Sequence, residues 1–537
     1  MGGFISATRI LIPAISAGFA VACAGAEADG AGMIQSARAL RAKLQSDPWR
    51  PGYHFVTPEG LCGPFDPNGA LFWKGRYHLM YIVQTEKGHC WAHVSSADLV
   101  HWRHHSLALE PGGADNGIFS GGAFIDRDGA ATITYWGLGN PGGICIATST
   151  DDNLERWTKS PHNPVIRETA LGLTEAKDKD GGAVVYGAAD PSQIWERDGR
   201  YYMLTGNLLV LREFGIKRKM QEHLGDTLYL FISDDLEKWE YLHPFYKSDR
   251  KWTREDEDDM CPDFFTIPSG RNGGPMSDRH MILFISHNLG CQYYIGRYEK
   301  DSFTPETHGR MTWIDNCFFA PESLMDARGR RIMWSWIFDQ RDGKTRQDSG
   351  WSGEMSLPRL LWLGDDVTLR MAPAEELRAL RFNPRQVESV TVAANSEIPL
   401  KEITGNSLEI EIEIQPGADA AQFGLKVCRS PGGEEETVVF YDAADAKLKI
   451  DTGKSSLGQG PKSIEGGPLA LKPGEPLRLN VFVDKSVVEV FANERQAVMR
   501  RIYPTRPDSI GVSLFSRGGA MTVKTLRAWD MMPSNPW

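Results

Sequence analysis

One pattern returns along the first two thirds of this 537-residue chain: a strand-like run, a Gly-Arg turn and an aromatic strand. It stands at Phe72-Trp73-Lys74-Gly75-Arg76-Tyr77-His78-Leu79-Met80-Tyr81. It returns at Trp195-Glu196-Arg197-Asp198-Gly199-Arg200-Tyr201-Tyr202-Met203-Leu204, and more loosely at Asp326-Ala327-Arg328-Gly329-Arg330-Arg331-Ile332-Met333-Trp334. Two weaker members are Asp126 to Gly129, before Thr132 to Trp136, and Asp278-Arg279-His280, before Met281 to Phe284. A second element, Ser-x-Asp-Leu-x-x-Trp, follows at Ser96 to Trp102 and Ser233 to Trp239, and with a short insertion from Ser149 to Trp157. One such unit cannot bury both faces of its own sheet, so units must stack around an axis. The pattern predicts an all-β chain with a five-bladed β-propeller, whose inner strands end near a shared central cavity.

Around this repeat the rest divides readily. Arg9 and the apolar run Ile10 to Ala22 resemble a secretory leader over 1–26, with a lipoprotein-type anchor at Cys23 as a variant of that reading. Both place the mature chain outside the cytoplasm, periplasmic or secreted. Met33 to Leu44 has helical periodicity, within a lead-in over 27–53. The propeller is expected over 54–372 and a partly helical linker over 373–394. A β-sandwich over 395–537 is marked by the strict alternation Glu409-Ile410-Glu411-Ile412-Glu413-Ile414. A net charge of −11 argues against a nucleic-acid partner. The abundant aromatic side chains suit surfaces that stack on sugar rings. No apolar stretch is long enough to span a membrane. The eight cysteines show no metal-ligand spacing and read as small buried residues.

Chemistry is expected where carboxylates stand in turn contexts on different blades. Asp66 lies in Phe65-Asp66-Pro67-Asn68-Gly69, and Asp190 stands before Pro191 at the same place in the third blade. Either alone reads equally as a turn aspartate bonding its own backbone. Two at equivalent positions favour aimed side chains. The run Glu255-Asp256-Glu257-Asp258-Asp259 leads into Met260-Cys261-Pro262-Asp263. Most of it reads as a solvated loop, with one or two members drawn inward.

These motifs together resemble glycoside hydrolase family 32, the invertase, inulinase and levanase group. Asp66-Pro67-Asn68-Gly69 is similar to its nucleophile motif, Gly117 to Gly122 to its Phe-Ser-Gly loop, Ala189-Asp190-Pro191 to Arg-Asp-Pro, and Met260-Cys261-Pro262 to Glu-Cys-Pro. Cys90 to Ser95 with Asp98 to Trp102, Gly350 to Gly353 with Leu357 to Arg359, and the stretch Phe482 to Asn493 with Arg501 to Pro504 extend the similarity across most of the chain. The resemblance implies retaining cleavage of a β-fructofuranoside in a fructose-containing oligo- or polysaccharide, without metal or cofactor. Asp66 would be the nucleophile and Asp190 a stabiliser of the transition state. Asn68, Gln84 and Ser120 would contact sugar, and Trp91, Phe119 and Trp313 would be stacking walls or propeller core. The departures are Phe65 for asparagine, Ala189 for arginine, and Met260 for the glutamate that gives the proton. Methionine has no proton to give. Either Glu257 or Asp258 takes the acid role, or cleavage is lost and a glycan-binding propeller remains. Transfer to a sugar hydroxyl in place of water is a further alternative.

Overall fold

The computed structural model describes residues 30–57, 65–177, 181–208, 224–458 and 460–535. The leader-like segment, Cys23 and Cys62 lie outside them. A helix, Gly30–Ser46, precedes five antiparallel sheets over 65–104, 117–167, 189–247, 260–310 and 318–373. These are the blades of the propeller. The inner strand of the first, Phe65–Trp73, packs against that of the fifth, Phe318–Met325, and closes the ring.

The repeat marks turns between paired strands in four of the five blades. In the first and third, Trp73 pairs with Arg76 and Arg197 with Arg200. The two-residue turns between them have φ of 44° and 83° at Lys74-Gly75, and 52° and 77° at Asp198-Gly199. Two positive φ values in succession match the right-handed twist of the flanking strands. The Ser-x-Asp-Leu-x-x-Trp element carries the chain to the outer strand in three blades. Asp98 Oδ1 accepts from Val100 and His101 N, and Asp235 Oδ1 from Glu237 and Lys238 N. The leucine that follows is left-handed each time, with φ of 64° at Leu99, 55° at Leu154 and 66° at Leu236. The fourth blade departs from expectation. Asp278-Arg279-His280 lies within the strand Met276–Ser286, because the glycine-rich segment at 269–274 makes the turn instead.

Two six-stranded sheets form the sandwich. It begins earlier than the pattern suggests. Leu369–Pro373 is the last strand of the fifth blade, Glu375–Leu380 is a short 3-10 helix, and Arg381–Val392 already pairs with Met521–Met531. That first sandwich strand is a sheet edge rich in exposed polar residues, so it lacks a clear apolar period.

The two domains meet through buried charge. Asp484 of the sandwich accepts from the backbone N of Gly52, Tyr53 and His54 at 2.7–2.8 Å, and its Oδ2 lies 3.0 Å from His54 Nδ1. Glu489 accepts from Leu357 N and Arg359 Nη2 and meets His54 Nε2 at 3.2 Å. Arg501 pairs with Glu354 of the fifth blade at 2.6 Å. Among the described residues the cysteines are unbridged, and all but Cys261 are buried.

Candidate active site

Four inner strands share one device. Phe65-Asp66-Pro67, Ala189-Asp190-Pro191, Met260-Cys261-Pro262 and Phe319-Ala320-Pro321 each sit at a register shift against the next strand. The middle residue has φ of 33°, 38°, 49° and 44° respectively. A bulge inserts a residue that the neighbouring strand does not match, bends the strand and re-aims the side chain. Proline suits the place after it, since no ladder donor is needed there. Left-handed backbone at a non-glycine residue costs on the order of 1–3 kcal/mol, which the surrounding sheet must hold. The second blade contributes a crossing segment instead, Phe119-Ser120-Gly121-Gly122. A Cβ on Gly121 would run into Thr134 backbone, and one on Gly122 into Gln193 backbone. Only glycines let this segment lie so close.

The bulges bring Asp66, Asp190 and Cys261 together. Ser120 Oγ donates to Asp66 Oδ2 at 2.7 Å. Cys261 Sγ lies 3.4 Å from Asp190 Oδ2 and 3.9 Å from Asp66 Oδ2, so one thiol bridges both carboxylates. Asp190 Oδ1 is buried with no hydrogen-bond partner among the described residues. Burial raises Asp66 to about 6, against the opposing bond from Ser120. Burial and the charge of Asp66 raise Asp190 to about 7. Burial and the two carboxylates hold the Cys261 thiol neutral.

Beneath this tier the blades are tied by polar contacts. Glu322 accepts from Ala70 N at 2.9 Å, and Asp263 accepts from Gln193 Nε2 and Ser323 Oγ. Beside the carboxylates stand half-buried rings. Phe65 lies 5.5 Å from His89, 6.4 Å from Phe119 and 5.8 Å from Trp336, centroid to centroid.

The other expected residues take several places. Asn68 stands behind Asp66: its Nδ2 donates to Asp66 O at 2.6 Å, and its Oδ1 accepts from Gly121 N at 3.0 Å. It clamps the bulge to the second blade. Trp91 is fully buried and donates to Phe119 O. Gln84 is exposed at a strand end, beside His89 in register. Trp313 leaves the cavity altogether and packs against the sandwich core, with its N donating to Glu465.

Three of the five acidic residues are buried, where a mostly solvated loop was expected. Glu257 is turned away. It accepts from Arg310 Nη2 at 3.0 and 2.9 Å, Gln292 Nε2 at 3.0 Å and Arg254 N at 2.9 Å. Burial works to raise its pKa, but Gln292 and Arg310 outweigh burial and leave it below its usual value. An ionised, fully bonded carboxylate is no proton donor, which sets aside the acid role considered for Glu257. Met260 is buried against Gly206 and fills the position before the bulge.

Asp258 leads to a residue that sequence reasoning missed. Its Oδ1 accepts from His287 N at 2.8 Å, and its Oδ2 lies 2.5 Å from His287 Nδ1. No motif marks His287. It is reached only through the hairpin register in which Met260 pairs with Ile285, two residues before it. Ala320 was also missed, although Ala320-Pro321 repeats the Asp-Pro and Cys-Pro pairs in the fifth blade.

Residues 54–373 match the family model for the glycosyl hydrolases family 32 N-terminal domain, and 376–530 match the one for its C-terminal domain. The chain belongs to glycosyl hydrolase family 32. It is therefore a glycosidase by family. Curated relatives include a sucrose-6-phosphate hydrolase of Zymomonas mobilis, 28% identical over 92% of this chain and 94% of the relative. A levanase of Bacillus subtilis is 28% identical over 93% of this chain and 74% of its own length. Among solved structures, fructan 1-exohydrolase IIa from Cichorium intybus has the same fold, with a TM-score of 0.78 and 22% identity over 91% of this chain and 98% of that one.

Proposed function

We propose that this family 32 glycosidase cleaves β-fructofuranosidic bonds with retention, and that Asp66 is its nucleophile. The observation that carries the reading is the pair of buried carboxylates, Asp66 and Asp190, aimed from two blades by the same bulge and bridged by one thiol. In the first step an Asp66 oxygen bonds the anomeric carbon while the bond to the leaving oxygen breaks. Positive charge builds on the fructosyl ring, and Asp190, whose Oδ1 has no hydrogen-bond partner among the described residues, stabilises it. Water then cleaves the ester and restores Asp66. The Ser120 hydroxyl favours the ionised form that attack requires. Phe65, Phe119 and Trp336 offer apolar faces to a furanose ring.

Sucrose, fructo-oligosaccharides, levan and inulin are the substrate candidates, supported by relatives named for sucrose-6-phosphate and levan cleavage. The leader-like start of the chain supports action outside the cytoplasm. Incubation of the purified protein with each saccharide tests the reading. Released fructose supports hydrolysis, and lengthened oligosaccharides would instead identify transfer. Turnover that survives Asp66→Ala would remove the nucleophile assignment. Binding with no turnover on any of the four would leave a glycan-binding propeller.

A further inference from the structure

We propose that His287, held by Asp258, gives the leaving oxygen the proton that Met260 cannot supply. This rests on the fructosidase reading above.

The geometry begins with the fourth-blade hairpin. Its strands Met260–Pro268 and Met276–Ser286 pair up to Met260 and Ile285. Just past that pair the chain turns at His287, beside the position where the family carries its acid. The backbone there is fixed from three sides. His287 N donates to Asp258 Oδ1 at 2.8 Å, Ser286 Oγ donates to Asp258 O at 2.9 Å, and Asn316 Nδ2 donates to His287 O at 2.6 Å. The imidazole stands edge-on to Phe319, 5.7 Å between centroids, and Phe319 holds in the fifth blade the place that Met260 holds in the fourth. The ring is about a third exposed, at 32%, while Asp258 is fully buried.

This is the arrangement a proton donor needs. Asp258 takes Nδ1, so the transferable proton sits on Nε2, for which the described residues offer no hydrogen-bond partner. The charged groups acting on the ring are Asp258, Asp190 and Asp66; burial opposes the imidazolium, and these three outweigh it, so its pKa lies above the usual value. Glu257 and Arg310 nearby are spent on each other.

The step balances within the site. As Asp66 bonds the anomeric carbon, the glycosidic bond breaks, its electron pair stays on the leaving oxygen, and that oxygen takes the proton from Nε2. In the second step water bonds the anomeric carbon, its proton passes to the now neutral Nε2, and the Asp66 ester opens. No further reactant is needed. Asp258 is a positioning residue that fixes the tautomer and favours the charged ring.

Paired substrates test this. Sucrose needs a proton on its leaving oxygen; β-fructofuranosyl fluoride does not. His287→Gln should lose at least about 10²-fold in kcat/KM on sucrose, the usual contribution of general acid catalysis, and less than about tenfold on the fluoride, which also shows that the variant is folded. Asp258→Asn should move the alkaline limb of the sucrose pH profile to lower pH. Equal losses of His287→Gln on both substrates, or no loss on sucrose, would overturn the assignment. The leaving-group-selective pattern in Asp190→Asn but not His287→Gln would move the acid to Asp190. Wild-type protein that turns over neither substrate would bring down the fructosidase reading itself, and a wild type active on both with an unaffected His287→Gln would bring down this one alone.

Discussion

As the proposed nucleophile, Asp66 must be ionised to attack, yet burial raises it to about 6. Below that value the nucleophile is protonated, so kcat/KM should fall as pH drops through about 6, over a range shared with Asp190 because two close carboxylates titrate as a pair. The Ser120 hydroxyl opposes this protonation. Ser120→Ala should therefore move the acid limb upward, by about one to two pH units, the equivalent of one hydrogen bond to a charged group; a limb that stays in place would show that Ser120 does not act on the ionised form. Asp66→Ala removes the covalent step itself, and turnover of any fructoside should fall at least about 10⁴-fold in a steady-state assay. The same side chains show why part of the site was readable. Asp66 and Asp190 carry a local mark, a proline next door, because a bulge is a local event. His287 carries none, because its place is set by pairing across a hairpin whose strands are joined by a seven-residue turn segment that no repeat describes.

At the scale of the element, the bulge is the unit of function. Its left-handed residue is costly to hold, and in the first blade Asn68 holds it with a bond to Asp66 O and another to Gly121 N. Asn68→Ala should leave the sheet paired but the carboxylate less well aimed. The expected outcome is a loss of about 10–10²-fold in kcat with about 1–2 kcal/mol lower stability, read from kinetics and denaturant unfolding of the same sample. A stability loss with kcat unchanged would show that the clamp serves folding alone. The blades were legible because their turns use residues with a backbone reason to be there, as at Lys74-Gly75 and Asp198-Gly199. The boundary between domains was not, because Arg381–Val392 is a polar edge strand. Residues such as Trp313 and Trp91 could not be placed from composition, since an indole suits a sugar wall and a core equally well.

Across the whole molecule, the junction of propeller and sandwich depends on ionisation. His54 is raised to about 9: burial opposes its charge, and bonds to Asp484 and Glu489 outweigh burial. Glu489 is lowered to about 2, where burial is outweighed by Arg359 and His54. The contribution of Glu489 is present above about 4.5 and is lost as pH falls from there toward 2. That of His54 is complete below about 6.5 and is lost as pH rises from there through 9. Each shift corresponds to something on the order of 3 kcal/mol for what is largely one shared interaction. The buried site carboxylates act in the same alkaline sense, since their raised pKa values cost stability as pH rises toward 6–7. The unfolding temperature should thus peak near pH 4.5, where the Glu489 contribution is present and the site carboxylates are still mostly protonated; above about 6.5 His54→Gln should flatten the further decline, and an unchanged decline there would place its cause elsewhere.

The junction also has a bearing on when the protein can be finished. The side chain of Asn535 accepts from Val56 N at 2.9 Å and donates to the carbonyls of Pro51, Gly52 and His54 at 2.8–3.0 Å, on the same segment that Asp484 grips. A ribosome makes residues 51–56 early and Asn535 some 480 residues later. The blades can pair as they emerge, but the seam that locks them to the sandwich waits until the sandwich itself has been made, and a chain cut short of Asn535 would lose these four bonds.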